Sequence, residues 1–194
     1  MSEYYADSDV GGEFATPEWL WRPLAHAVGG FDLDPASGVE ATPIADKRYT
    51  GPPDGTDGLA AEWHGRVWLN PPYGRGLNRD WGETALAECR SGRVTSLTAL
   101  VPLSSGTEWF HETYTRLAET LTLVDPPGDG TRRVRFEVPA GDGRTTPAEN
   151  TATFASAIVS WGSFPSDYYQ RLADTGPTFT RGGETVVQSR GDER

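Results

Sequence analysis

Several residue types that would open whole classes of function are nearly missing from this sequence. One cysteine, Cys89, closes no disulfide within the chain, and three histidines, His26, His64 and His111, lie too far apart for metal-ligand spacing, so disulfide scaffolds, structural zinc and a bound metal are not expected. No run of about 18 apolar residues occurs, and the start, Met1-Ser2-Glu3-Tyr4-Tyr5, has no basic segment followed by an apolar one. Neither a membrane span nor a secretory signal is expected, and the chain reads as a cytoplasmic protein. Lysine is almost absent: Lys47 is the single one among 17 basic residues, set against 28 acidic ones for a net charge of −11. An ordinary nucleic-acid binder is basic.

Two readings of that charge compete, a solvating surface for concentrated salt and an acidic surface with no role on DNA, and composition does not choose between them. Acidic residues in excess with Gly, Thr and Ala frequent resemble proteins of haloarchaea or their viruses. At molar salt the Debye length is ~3 Å, so repulsion between such a surface and phosphates is largely screened.

What is present is one domain's worth of alternating pattern in 194 residues. Residues 1–14 read as a flexible acidic lead-in, 15–174 as the globular domain and 175–194 as a flexible tail. Thr16-Pro17-Glu18 is a helix start with Thr as N-cap, and Gly29-Gly30 ends that helix. Phe31-Asp32-Leu33-Asp34 is a short strand stopped at Pro35, and Arg66-Val67-Trp68-Leu69 is a second, stopped at Asn70-Pro71-Pro72. A helix over 80–90 with Glu83 in a capping box, a strand over 97–101, a helix over 108–117 and strands near 120–124, 133–138 and 152–161 follow. This order predicts an α/β fold, an open, mostly parallel sheet flanked by helices with antiparallel strands at one edge. Ligands of such sheets bind beyond the carboxyl ends of the strands, where Asp34 and Asn70 fall.

Asn70-Pro71-Pro72-Tyr73 is the most specific signal; with Pro at about 5% of residues, its chance occurrence is well under ~1% of chains this long. Asn70 offers a side-chain carbonyl, Pro71 a backbone carbonyl, and the two prolines stiffen the turn that aims both. Tyr73 adds an aromatic face for a planar group, a contact worth ~1–3 kcal/mol for a nucleobase. An exocyclic NH2 on a heteroaromatic ring fits this set; the plain alternative is a rigid strand-ending turn.

Here the sequence resembles amino-group methyltransferases that use S-adenosylmethionine (SAM), most closely the phage-type, Dam-like DNA N6-adenine methyltransferase family. The resemblance is carried by Thr16-Pro17, by Phe31-Asp32-Leu33-Asp34-Pro35-Ala36, by Asp57-Gly58-Leu59 with Trp63, and by Asn70-Pro71-Pro72-Tyr73-Gly74. It implies a Rossmann-like methyltransferase fold with Thr16, Pro17, Asp34, Pro35, Ala36 and Asp57 at SAM. It also implies Asn70, Pro71, Pro72 and Tyr73 at the amino group of an adenine flipped out of double-stranded DNA. Two departures stand out: Ser37-Gly38 replaces the usual Gly-x-Gly, and no ribose-binding acid is identifiable, Glu40 and Asp46 being candidates on distance alone. For Asp34 and Asp57 the alternative is a turn carboxylate. Arg75, Arg132 and Arg133, with Arg79, Arg135 and Arg144 nearby, are the expected DNA contacts. A protein-glutamine methyltransferase, which shares the Asn-Pro-Pro-Tyr signal, and a non-catalytic SAM- or DNA-binding phage protein are the competing functions.

Overall fold

Alternation along the central strands dictates a sheet covered on both faces. The structure is a computed structural model that describes residues 14–38, 43–52, 55–74, 76–128, 130–141, 144–182 and 185–186. The chain begins with α1 (Glu18–Val28), β1 (Phe31–Asp34), β2 (Ala45–Arg48), β3 (Gly65–Leu69), α2 (Leu77–Arg90) and β4 (Val94–Pro102). It continues with α3 (Glu108–Glu112), α4 (Tyr114–Leu117), β5 (Thr120–Leu123), β6 (Glu137–Gly141), β7 (Arg144–Pro147), β8 (Ser156–Gly162), α5 (Ser166–Thr175), β9 (Thr178–Thr180) and β10 (Thr185–Val186). Val67, Leu69, Leu97, Ala99 and Val101 pack on one face with Trp81, Ala85 and Cys89 of α2 and with Phe110, Tyr114 and Leu117 of α3 and α4. Trp68 and Leu100, out of phase with them, pack on the other with Leu20, Leu24 and Val28 of α1 and Tyr168 and Leu172 of α5.

The described residues form an eight-stranded sheet in the order β10-β9-β5-β8-β4-β3-β1-β2. The run β2, β1, β3, β4 is parallel. Pairing from β4 through β8, β5, β9 and β10 is antiparallel at each step, so only β8 and β9 oppose the remaining six strands. This is the expected α/β sheet, mostly of one direction with antiparallel pairing at one edge. The chain leaves β1 toward β2 on one side and then crosses to β3 and β4 on the other. The order therefore reverses between β1 and β3, and their carboxyl ends flank the crevice where open α/β sheets bind ligands.

The opposite end of those strands is clamped. Arg66 donates from Nε and Nη2 to the two carboxylate oxygens of Asp32 (3.0 and 2.8 Å) and from Nη1 to the α1 carbonyls of Val28 and Gly29 (2.5 and 3.1 Å). One guanidinium thus ties β1, β3 and the end of α1 together. At the crevice end, residues 124–155 leave β5 and return into β8, whose first residue, Ser156, pairs with Pro102 at the end of β4. This excursion carries the β6–β7 hairpin, joined to the start of the domain by Ala15 N–H to Glu137 O (2.8 Å) and Glu137 N–H to Ala15 O (2.9 Å).

Several expected elements are corrected. Pro17, not Thr16, is the N-cap of α1, and the Thr16 hydroxyl accepts from Asn70. α2 starts at Leu77 behind Gly76, without a capping box, and Glu83 pairs with Arg79 at 3.6 Å instead. The helix expected over 108–117 breaks at Thr113, whose hydroxyl bonds the Trp109 carbonyl at 2.6 Å. The strand expected near 133–138 starts later, at Glu137, and Val134 and Phe136 before it are buried in the cluster that holds α1 and α5. β2, β7 and α5 were not anticipated, and the stretch from 175, expected as a tail, adds β9 and β10 to the sheet edge. The acidic lead-in lies outside the described residues up to 13.

Candidate active site

The turn that ends β3 places Asn70 on the crevice with both ends of its amide engaged. Its Nδ2 donates to Thr16 Oγ1 at 3.0 Å, and the Tyr73 hydroxyl donates to its Oδ1 at 2.5 Å. Pro71 is buried and Pro72 exposed, so the turn is anchored on one proline and open on the next. The Tyr73 hydroxyl is also 3.1 Å from the carbonyl of Leu100 on β4. Burial raises its pKa well above the ordinary tyrosine range, so it is a neutral donor. Its ring meets Phe154 and Phe136 at steep angles, with centroids 5.2 and 6.2 Å away. The Tyr73 ring is thus already flanked by two aromatic neighbours, and the hydroxyl, to which the sequence assigned no task, holds the Asn70 acceptor.

Across the crevice, Asp34 ends β1 with 6% of its surface exposed. Its Oδ1 accepts from Ala36 N–H at 3.1 Å. Burial pushes its pKa up to about 7, against the Ala36 hydrogen bond and the positive charge of Arg48. A buried carboxyl so lightly compensated suits a ligand that brings positive charge. Pro35 is buried and Ala36 half-buried beside it.

The Asp57-Gly58 turn reaches this same strand end. A Cβ on Gly58 would stand 1.9 Å from the Pro35 carbonyl oxygen and 2.9 Å from the Trp81 ring, so only glycine allows the approach. The Trp63 indole N–H donates to Gly58 O at 2.8 Å and holds the turn there. Asp57 itself is exposed; its Oδ1 accepts from Leu59 N–H at 2.9 Å, and its backbone carbonyl from Ala60 and Ala61. It therefore shapes the turn, and the turn is pressed against Asp34-Pro35. The structure brings Thr16, Asn70 and Tyr73 into one group and Asp34, Pro35 and the Asp57-Gly58 turn into another, on the two strands that flank the switch point.

A family model for DNA N-6-adenine-methyltransferase (Dam) matches residues 6–171. The chain belongs to this family. It is a methyltransferase. None of the curated proteins matches it. Among solved structures it is similar to a Pyrococcus horikoshii protein described as a candidate RNA methyltransferase, with 10% identity, a TM-score of 0.41, and coverage of 76% of this chain and 82% of that one.

For a Dam-family methyltransferase, the ribose acid is the part least accounted for. Asp46 is exposed on edge strand β2 and acts electrostatically on Arg66, at the clamped end of the sheet, and Glu40 lies outside the described residues. Of the expected DNA contacts, Arg75 also lies outside them. Arg132 and Arg133 are exposed on the excursion beside the hairpin, and Arg132 is paired with Asp125. Arg79 is bound to Glu108 (3.0 Å) and Glu112 (3.3 Å), and Arg135 donates to the carbonyls of Ala148 and Glu149 (3.1 and 2.6 Å). Missed at the site were the Thr16 contact, the Leu100 carbonyl and the rings of Phe136 and Phe154. They come from segments 27 to 81 positions distant from the residue each one touches, Tyr73 or Asn70, and no local spacing announces them.

Proposed function

We propose that this methyltransferase uses SAM to methylate the exocyclic N6 of an adenine flipped out of double-stranded DNA. The observation that carries this reading is the Asn70 amide, held at the switch-point end of β3 by Thr16 and Tyr73. Bound SAM supplies an electrophilic methyl group on a positively charged sulfonium. The chain supplies orientation and charge. Asn70 Oδ1 and the Pro71 carbonyl accept the two hydrogens of the target amino group, which draws its lone pair out of the ring and aims it toward the cofactor side of the crevice. Pro72 stiffens the turn. Asp34 provides the anion that a cationic cofactor meets, and Thr16, Pro17, Pro35, Ala36 and Asp57 line or shape the approach to it. Tyr73, in edge contact with Phe136 and Phe154, supplies the aromatic wall for the base. Flipping is required because N6 is out of reach within the stack. Arg132 and Arg133, with Arg75, meet the DNA.

Purified protein incubated with plasmid DNA and labelled SAM in molar KCl, followed by digestion to nucleosides, is expected to yield N6-methyladenine. Asn70→Ala should lower transfer by about 10²-fold while leaving SAM affinity nearly unchanged. N4-methylcytosine would keep the chemistry and change the base; methylglutamine on a protein, with no modified base, would overturn the DNA reading.

A further inference from the structure

The amide of asparagine is nearly symmetric in shape, and only one of its two ends does the work proposed above. With Oδ1 toward the target, it accepts from the amino group; turned by 180°, it presents an NH2 to another NH2 and repels it. Something must hold the orientation, and both groups that touch the amide are hydroxyls, which donate or accept equally well. The distances separate the ends. The 2.5 Å contact to Tyr73 has the length of an O–H···O bond and is too short for N–H···O, which puts Oδ1 at Tyr73 and leaves Nδ2 to donate to Thr16 at 3.0 Å. Tyr73 also has a second acceptor in reach, Leu100 O at 3.1 Å, so its hydroxyl can turn away from Oδ1 when a target arrives. Thr16 is the fixed partner.

Its surroundings make it so. Thr16 is 5% exposed. Ala15 before it is pinned to Glu137 by two backbone hydrogen bonds, and Pro17 after it is the N-cap of α1 with φ −64°. A residue before proline is held extended. The Thr16 hydroxyl stands one position before the helix cap and faces Asn70.

We propose that Thr16 is a positioning residue: it holds Asn70 Nδ2 so that Oδ1 is the end left for the target amino group. This rests on the function proposed for Asn70 and gives Thr16 a task distinct from holding the cofactor. The test is a cycle of Thr16→Val, which keeps the shape and removes the hydroxyl, with Asn70→Asp, whose two oxygens are equivalent and need no orienting. Thr16→Val should lower kcat by about 10-fold or more with SAM affinity and Tm nearly unchanged, and Thr16→Ser should restore most of it. In the Asn70→Asp background, Thr16→Val should cost less than about 3-fold. Equal losses in the two backgrounds would make Thr16 a packing residue, and a loss of SAM affinity matching the loss of rate would return it to the cofactor pocket; each overturns the proposal. Should Asn70→Asp be inactive, the contrast between the valine and serine variants at constant SAM affinity decides. Failure of the function itself is separate, since the unaltered protein would then form no methyladenine.

Discussion

Asp34 is a residue whose cost to the fold and use to the site have opposite signs. Its carboxyl is buried and its pKa is raised to about 7 by desolvation, whereas in the unfolded chain it titrates near 4. Below about pH 4 the group is neutral in both states and weakens nothing. As pH rises from about 4 to about 7 the unfolded chain ionises first, so stability falls across that window, by up to about 4 kcal/mol in all. Asp34→Asn keeps an oxygen for Ala36 N–H and removes the ionisation. The variant should therefore melt above the parent at pH 8 and level with it near pH 4, while binding SAM more weakly. Calorimetry at the two pH values, with SAM titrations without DNA, checks both halves. A variant less stable than the parent at pH 8 would mean the charge is needed by the fold. Binding of a cation should draw the proton off Asp34, so SAM affinity of the parent should strengthen as pH is raised through 7.

At the scale of elements, what was legible in the sequence was what is local. Phe31–Asp34 and Arg66–Leu69 announce themselves by apolar runs halted at proline, and the Asn-Pro-Pro-Tyr turn by its composition; all three lie where the pattern puts them. Two helix starts differ from the pattern for separate reasons: a capping threonine and one drawn into tertiary contact look the same in sequence, and Thr16 bonds Asn70, 54 positions away, whereas Glu83 lies inside a helix that starts earlier and pairs with Arg79 one turn before it. α5 was missed because Ser166–Thr175 is mostly polar, and its identity rests on Tyr168, whose hydroxyl bonds Thr98 and Ser160 (2.7 and 2.8 Å) inside the fold. The Asp57-Gly58 turn shows the same division. Asp-Gly marks a turn locally, but that it presses on Pro35 emerges only in three dimensions. Gly58→Ala should force that turn off the end of β1 and weaken SAM binding by about 10-fold or more, because the Cβ meets backbone rather than a movable side chain. Unchanged SAM affinity in a folded Gly58→Ala protein would detach this turn from the cofactor pocket.

For the whole molecule, charge is the property that no element owns. The net charge of −11 arises from 28 acidic residues against 17 basic ones. Many of the arginines are committed to local pairs, among them Arg22 with Glu18, Arg79 with Glu108 and Glu112, and Arg171 with Asp167 and Asp174. Exposed pairs of this kind contribute little to stability, and pairing an arginine with one carboxylate leaves the excess of acid untouched. Salt has two effects of opposite sign: it screens these pairs, a small loss, and it screens the repulsion among the unpaired carboxylates, which grows with the square of the net charge. The second is the larger for a chain this acidic. Tm should therefore rise from low salt to molar KCl, and potassium chloride is a suitable probe because neither ion strongly alters apolar burial. On the function proposed above, the same screening would let the exposed arginines near the hairpin meet phosphates that the rest of the surface repels. A Tm that is flat or falls across this range would show that the surface is not adapted to concentrated salt, and DNA binding by so acidic a protein would then have to depend on contacts much more local than its net charge.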